Sequence, residues 1–201
     1  MREKNRNAFV WLDEPGLGWV FSGLSGYSDV RARQDYMDFL NGLDCPGALH
    51  LCANVNLPYL LSLGVSLLSF DAYQLELMPK GYTQAVADFI SSGGIISWGI
   101  VPTDSLTLDT ESPERLIKRL SSYWEVLTQN SELTVEQIAK QSLIAPARCC
   151  LKNIGQVGAS DEKRPSGNQG IRNMTTEERV VESAFNYLGI ISKDLREKFD
   201  L

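Results

Sequence analysis

An α/β chain with a parallel sheet is predicted by three observations: short apolar runs of strand length, amphipathic stretches between them, and polar groups where the runs stop. The runs are Ala8–Leu12, Ala48–Cys52, Ser66–Asp71, Ile95–Pro102 and Ser142–Pro146. Strands that alternate with helical patterns at this spacing indicate βαβ units, whose connections require a parallel sheet. With 201 residues, 43% of them hydrophobic and 22% charged, the chain can bury a sizeable core and is expected to form one domain over 1–201.

The first run ends in Asp13-Glu-Pro-Gly16, two carboxylates at a Pro-Gly turn. A helix is expected over Val30–Leu43, with Asp29 as N-cap and Val30, Tyr36, Met37, Phe39, Leu40 and Leu43 as its apolar positions. After the loop Asp44–Gly47 comes the second strand, then a short helix around Leu57–Leu63 and a third strand that stops at Asp71. Thr83–Ser91 is amphipathic and is closed by Gly93-Gly94, as helix ends often are. The fourth strand leads to a helix over Pro113–Thr128, with Ser112 as N-cap and proline at its first position. Thr134–Gln141 is helical and runs into the fifth strand, which ends beside Cys149-Cys150. Residues 153–174 are rich in Gly, Ser, Asn, Lys and Arg and are expected to form a mobile surface loop. The last helix is expected over Glu177–Ile191, with Val180, Val181, Ala184, Phe185 and Leu188 facing inward.

Charge excludes some functions. A net charge of −6, with basic residues scattered rather than stacked, argues against nucleic acid as a partner. The N-terminus leads into no apolar signal core, and the longest apolar stretch, Leu57–Phe70, is interrupted by Ser and Gly. A cytoplasmic protein without a membrane span is therefore expected. Four cysteines without a signal peptide point to thiols or metal ligands rather than to a disulfide framework.

His50, the only histidine, stands two residues before Cys52. In a strand, residues i and i+2 share a face, so an imidazole and a thiol lie side by side. A packed histidine beside a buried cysteine is the plain reading of such a pair, and zinc ligation is the sharper one. A parallel sheet gathers its strand C-termini along one edge. There Asp13 and Glu14, His50 and Cys52, Asp71, and Cys149 or Cys150 would converge. One imidazole, two thiolates and a carboxylate make a four-coordinate set, and the soft thiolates favour zinc over magnesium or calcium.

Val10-Trp-Leu-Asp-Glu-Pro15, His50-Leu-Cys52, Phe70-Asp-Ala72 and Cys149-Cys-Leu-Lys152 stand in the order found in the catalytic C-terminal domain of cobalamin-independent methionine synthases, which the chain resembles. Short single-domain relatives are more similar still, through Ala53-Asn54, Ser69–Tyr73, Trp98–Pro102 and Gln141–Ile144. The resemblance implies a partial TIM (β/α)8 barrel: about five C-terminal β/α units, without the first strands of an eight-stranded closure. It implies zinc held by His50, Cys52, Asp71 and Cys149. Alignment on Leu151-Lys152 selects Cys149, and a shift of one residue selects Cys150. The family has glutamate where this chain has Asp71. Asp13, with Glu14 beside it, falls where the family holds the amino group of a thiol amino acid.

The implied activity is zinc-dependent methyl transfer to a small-molecule thiol, homocysteine above all. The alternatives are transfer to another thiol such as coenzyme M and a truncated, non-catalytic barrel. The family's second histidine would fall near Pro102-Thr103 and is missing here, which leaves the donor open between folate and, as its substitute, a methylated corrinoid protein. A fragment of a longer protein, a partner subunit supplying the missing strands, or a dimer that covers the edge is expected.

Overall fold

The computed structural model describes residues 8–14, 16–17, 20, 26–52, 56–75, 80–148 and 176–201. Five strands, β1 (Val10–Asp13), β2 (Gly47–Leu51), β3 (Leu67–Phe70), β4 (Ile95–Val101) and β5 (Ser142–Pro146), form one sheet in sequential order with every neighbouring pair parallel. The expected α/β class and all five strands are therefore present. The helices are α1 (Asp29–Asn41), α2 (Leu57–Leu61), α3 (Lys80–Ser91), α4 (Ser105–Leu108), α5 (Pro113–Gln129), α6 (Val135–Lys140) and α7 (Thr176–Phe199).

Local chemistry sets most helix ends. Ser112 caps α5 ahead of Pro113, and Thr134 and Gln137 form a reciprocal capping box on α6. Two expectations are corrected. Ser28, not Asp29, caps α1: its side chain accepts the Arg31 N–H, while Asp29 sits in the first turn, where its charge suits the helix dipole. In α7 the buried stripe is Val180, Ala184, Ile191 and Leu195, and Phe185 is 61% exposed. The helix runs on to Phe199, and over that length the inward stripe passes one position to the side of Val181 and Phe185. Short α4 arises from Asp104, whose carboxylate accepts the Leu106 and Thr107 N–H groups.

Register divides the sheet into two faces. Leu12, Leu49, Leu68 and Ile96 stand side by side across β1 to β4, and Phe70, Trp98 and Ile100 continue that face along β3 and β4. It is the face the helices cover, with Leu49, Phe70 and Trp98 fully buried beside Leu116, Leu120 and Trp124 of α5. Trp98 also ties β4 to β5, its indole N–H donating to Ser142 Oγ at 2.9 Å. The opposite face carries Trp11, Asp13, Ala48, His50, Ser69, Ser97, Leu143 and Ala145 by the same alternation. Ala48, Ser69 and Ser97 are buried between neighbouring strands, whereas Trp11 is 41% and Leu143 48% exposed. Sequential strand order with helices on one face therefore leaves this second face open, and the candidate site lies at its C-terminal edge. No described helix is long and apolar enough to cross a membrane.

Candidate metal centre

His50 and Cys52 do meet. His50 ends the second face of β2, and its Nε2 lies 2.7 Å from Cys52 Sγ. On the other side of the ring, Nδ1 lies 2.9 Å from the Ser69 hydroxyl of β3. That contact follows from register, because His50 and Ser69 are paired across the two parallel strands. In the tautomer with Nδ1–H donating to the hydroxyl oxygen, the Nε2 lone pair faces the sulfur. A ligating histidine is normally held in this way by a partner on its other nitrogen. Trp11 stacks on the imidazole, with ring centroids 6.1 Å apart and planes 22° from parallel.

These residues line an open cleft of about 520 Å³ with Asp13, Ala145, Pro146 and Arg148. Burial lowers the His50 pKa from 6.5, and the nearby carboxylates of Asp13 and Asp71 act in the opposite direction. The neutral, lone-pair form of the ring is thus favoured at neutral pH. Because His50 is the one imidazole, its NMR titration in metal-free protein has a single assignment and is expected to have its midpoint below pH 6.5. The sign for stability follows. As pH falls through 6.5 the unfolded ring takes up a proton before the folded ring does, so the metal-free fold loses stability until the folded ring also protonates. A midpoint above 6.5 would refute this assignment.

The two acidic residues expected to bind substrate are separated. Asp13 is in register with His50 and accepts the Trp11 indole N–H at 3.4 Å, so it stands on the open face beside the ring. Glu14 reaches the rim of the cleft, but its carboxylate accepts the Tyr36 hydroxyl of α1. Burial first, and this hydrogen bond second, push the Tyr36 pKa well up. One step along a strand reverses the face, which is why adjacent residues part company here.

Asp71 follows β3, two residues beyond Ser69, and its side chain is 3% exposed. Its Oδ2 accepts Arg148 Nε at 2.6 Å, and its Oδ1 accepts the Gln74 backbone N–H at 3.2 Å. It lines a small neighbouring cleft with Gln74, Thr103 and Arg148. Cys149 and Cys150 lie outside the described residues, as does the loop expected over 153–174. Cys45 is a buried thiol of the core.

Among the described residues no three His, Cys, Asp or Glu side chains are grouped closely enough to hold a metal ion. The donor set here is the pair His50 and Cys52, an imidazole and a thiol aimed at one another with the imidazole braced from behind. Both are donors of the kind zinc takes, and they supply two of the positions a zinc site needs.

Ser69, Trp11 and Arg148 were not among the residues expected at the site. Period-two alternation places Ser69 on the face of Asp71 and Trp11 on the face of Asp13, a signal present in the sequence. Nothing local points from Arg148 to Asp71, 77 positions earlier. No protein-family model matches the chain, and no curated protein matches it.

Proposed function

We propose that this chain is a zinc-dependent methyltransferase that methylates a small-molecule thiol, homocysteine in the first instance, within a partial (β/α)8 barrel. The observation that carries this reading is the braced pair: His50 Nε2 facing Cys52 Sγ, with His50 Nδ1 on Ser69. The pair sits at the C-terminal edge of a parallel sheet, where α/β enzymes keep their chemistry. His50 and Cys52 would hold zinc, with Asp71 and Cys149 as the further ligands that the resemblance implies.

Zinc bound there would lower the pKa of a coordinated substrate thiol, so that its sulfur is a thiolate near neutral pH. The chain's own residues do the rest. Ser69 holds the imidazole in its ligating orientation, and Trp11 covers one side of the ring and limits water around it. Asp13 offers a carboxylate to the substrate's amino group. The thiol proton leaves to solvent. The sulfur electron pair then forms the new S–CH3 bond, while the bond between methyl and donor breaks and its pair stays with the donor. A methylated corrinoid protein is the donor in this reading.

The open face with exposed Trp11 and Leu143 supports a partner subunit or second copy that completes the barrel. The test incubates zinc-loaded protein with methylcobalamin and either homocysteine or coenzyme M, with light scattering on the same sample. Methionine formation by an assembly larger than one chain is the expected result. Transfer to coenzyme M alone would change the acceptor, and transfer to neither would leave the non-catalytic barrel. Activity from a monomer would overturn the partner.

A further inference from the structure

We infer that Arg148 is the anchor for the carboxylate of the thiol substrate, held ready for that purpose by Asp71 and Gln74. This rests on the reading of the cleft as a thiol site and adds to it a positioning residue for the substrate's carboxylate.

Arg148 follows β5 at the C-terminal edge of the sheet and lines the same cleft as His50 and Cys52. Its guanidinium is fixed on two sides. Nε donates to Asp71 Oδ2 at 2.6 Å, and Nη2 donates to Gln74 Oε1. Asp71 is almost wholly buried, while Arg148 keeps 30% of its side chain exposed. A buried carboxylate and an amide thus hold two of its donors while part of the side chain stays exposed. Among the described residues, Nη1 has no protein acceptor. An arginine has five N–H donors in a rigid fork suited to carboxylates, and two bonds do not exhaust them.

The charges around the cleft fit a particular ligand. Among the described lining residues Arg148 is the one cation, and Asp13 is the anion beside His50, Glu14 being held at the rim by Tyr36. Asp13 comes from β1 and Arg148 from beyond β5, so the carboxylate and the guanidinium stand on opposite walls with His50 and Cys52 between them. A zwitterionic α-amino acid that carries a thiol on its side chain would satisfy all three: ammonium to Asp13, carboxylate to Arg148, sulfur to the His50–Cys52 pair. A thiol without the carboxylate gives Arg148 no acceptor beyond Asp71 and Gln74.

Isothermal titration of the zinc-loaded full chain decides between these cases, with L-homocysteine compared with 3-mercaptopropylamine, the same thiol without its carboxylate. Wild-type protein is expected to bind homocysteine at least about tenfold more tightly, as befits one charge-assisted contact. Arg148→Gln is expected to erase that preference by weakening homocysteine and leaving the amine thiol within about twofold. Because Arg148→Gln strands the buried Asp71 charge, Arg148→Lys provides a second route: it keeps a cation beside Asp71 but loses the guanidinium fork, and is expected to narrow the preference while leaving the amine thiol within about twofold. Equal binding of both thiols by wild type, or an Arg148→Gln loss shared equally by both, overturns the anchor alone. Failure of wild type to bind either thiol overturns the thiol reading, and the anchor with it.

Discussion

Cys52→Ala and His50→Ala are each expected to weaken zinc binding by more than about a hundredfold, so that protein purified without added chelator holds close to one zinc per chain as wild type and almost none as either variant. The scale follows from the ligand count. Loss of a residue that merely orients a ligand costs roughly 10–100-fold in affinity, and loss of a donor atom must cost more. Ser69→Ala supplies the graded control. It leaves both donors in place and removes only the brace on His50 Nδ1, so its loss is expected to fall within that 10–100-fold band. Neither His50 nor Cys52 belongs to the buried core, and both variants should therefore fold. Elemental analysis with a competing chelator reads the series. Equal zinc in wild type and variants, or none in wild type, sinks the metal reading.

The second large effect is on the frame of the site. Gly99 of β4 has no room for a side chain: a Cβ there would stand 2.5 Å from the Phe70 carbonyl oxygen and 3.0 Å from Ala147 Cα. Both neighbours are backbone and cannot swing aside. The Gly99 carbonyl also accepts the Ala72 and Tyr73 N–H groups, at 3.1 and 2.9 Å, so this residue fixes the chain as it leaves β3. Asp71 and Arg148 are the residues directly after Phe70 and Ala147, so the close approach at Gly99 is what lets their side chains meet. Gly99→Ala is expected to cost about 3 kcal/mol, the upper end of the usual overpacking range. For a chain of this size that lowers Tm by roughly 6–12 °C. It should also loosen the Asp71–Arg148 pair and reduce the homocysteine preference described above. Gly189→Ala, in α7 with nothing within 4 Å of the added Cβ, should leave Tm unchanged or raise it slightly, because alanine is the better helix former. Thermal melts of the two variants side by side make the comparison, and a Gly99→Ala melt that overlays wild type would show that the sheet yields there.

The sequence by itself determined the α/β class, the five strands and the helices between them apart from short α4, because each rests on local chemistry: apolar period, capping side chains and turn residues. It also determined that His50 and Cys52 share a face, since a separation of two in a strand places side chains together whatever surrounds them. The local signal was weaker where one phase error moves a residue around a helix, as with Phe185 in α7, or where adjacent residues take opposite faces, as Asp13 and Glu14 do. Only the tertiary structure decided that Ser69 backs the imidazole, that Trp11 stacks on it and that Arg148 binds Asp71. Those contacts depend on the register between parallel strands. Register depends on how helices such as α3 and α5 pack over the buried face, an outcome spread across the chain rather than written in any one stretch of it.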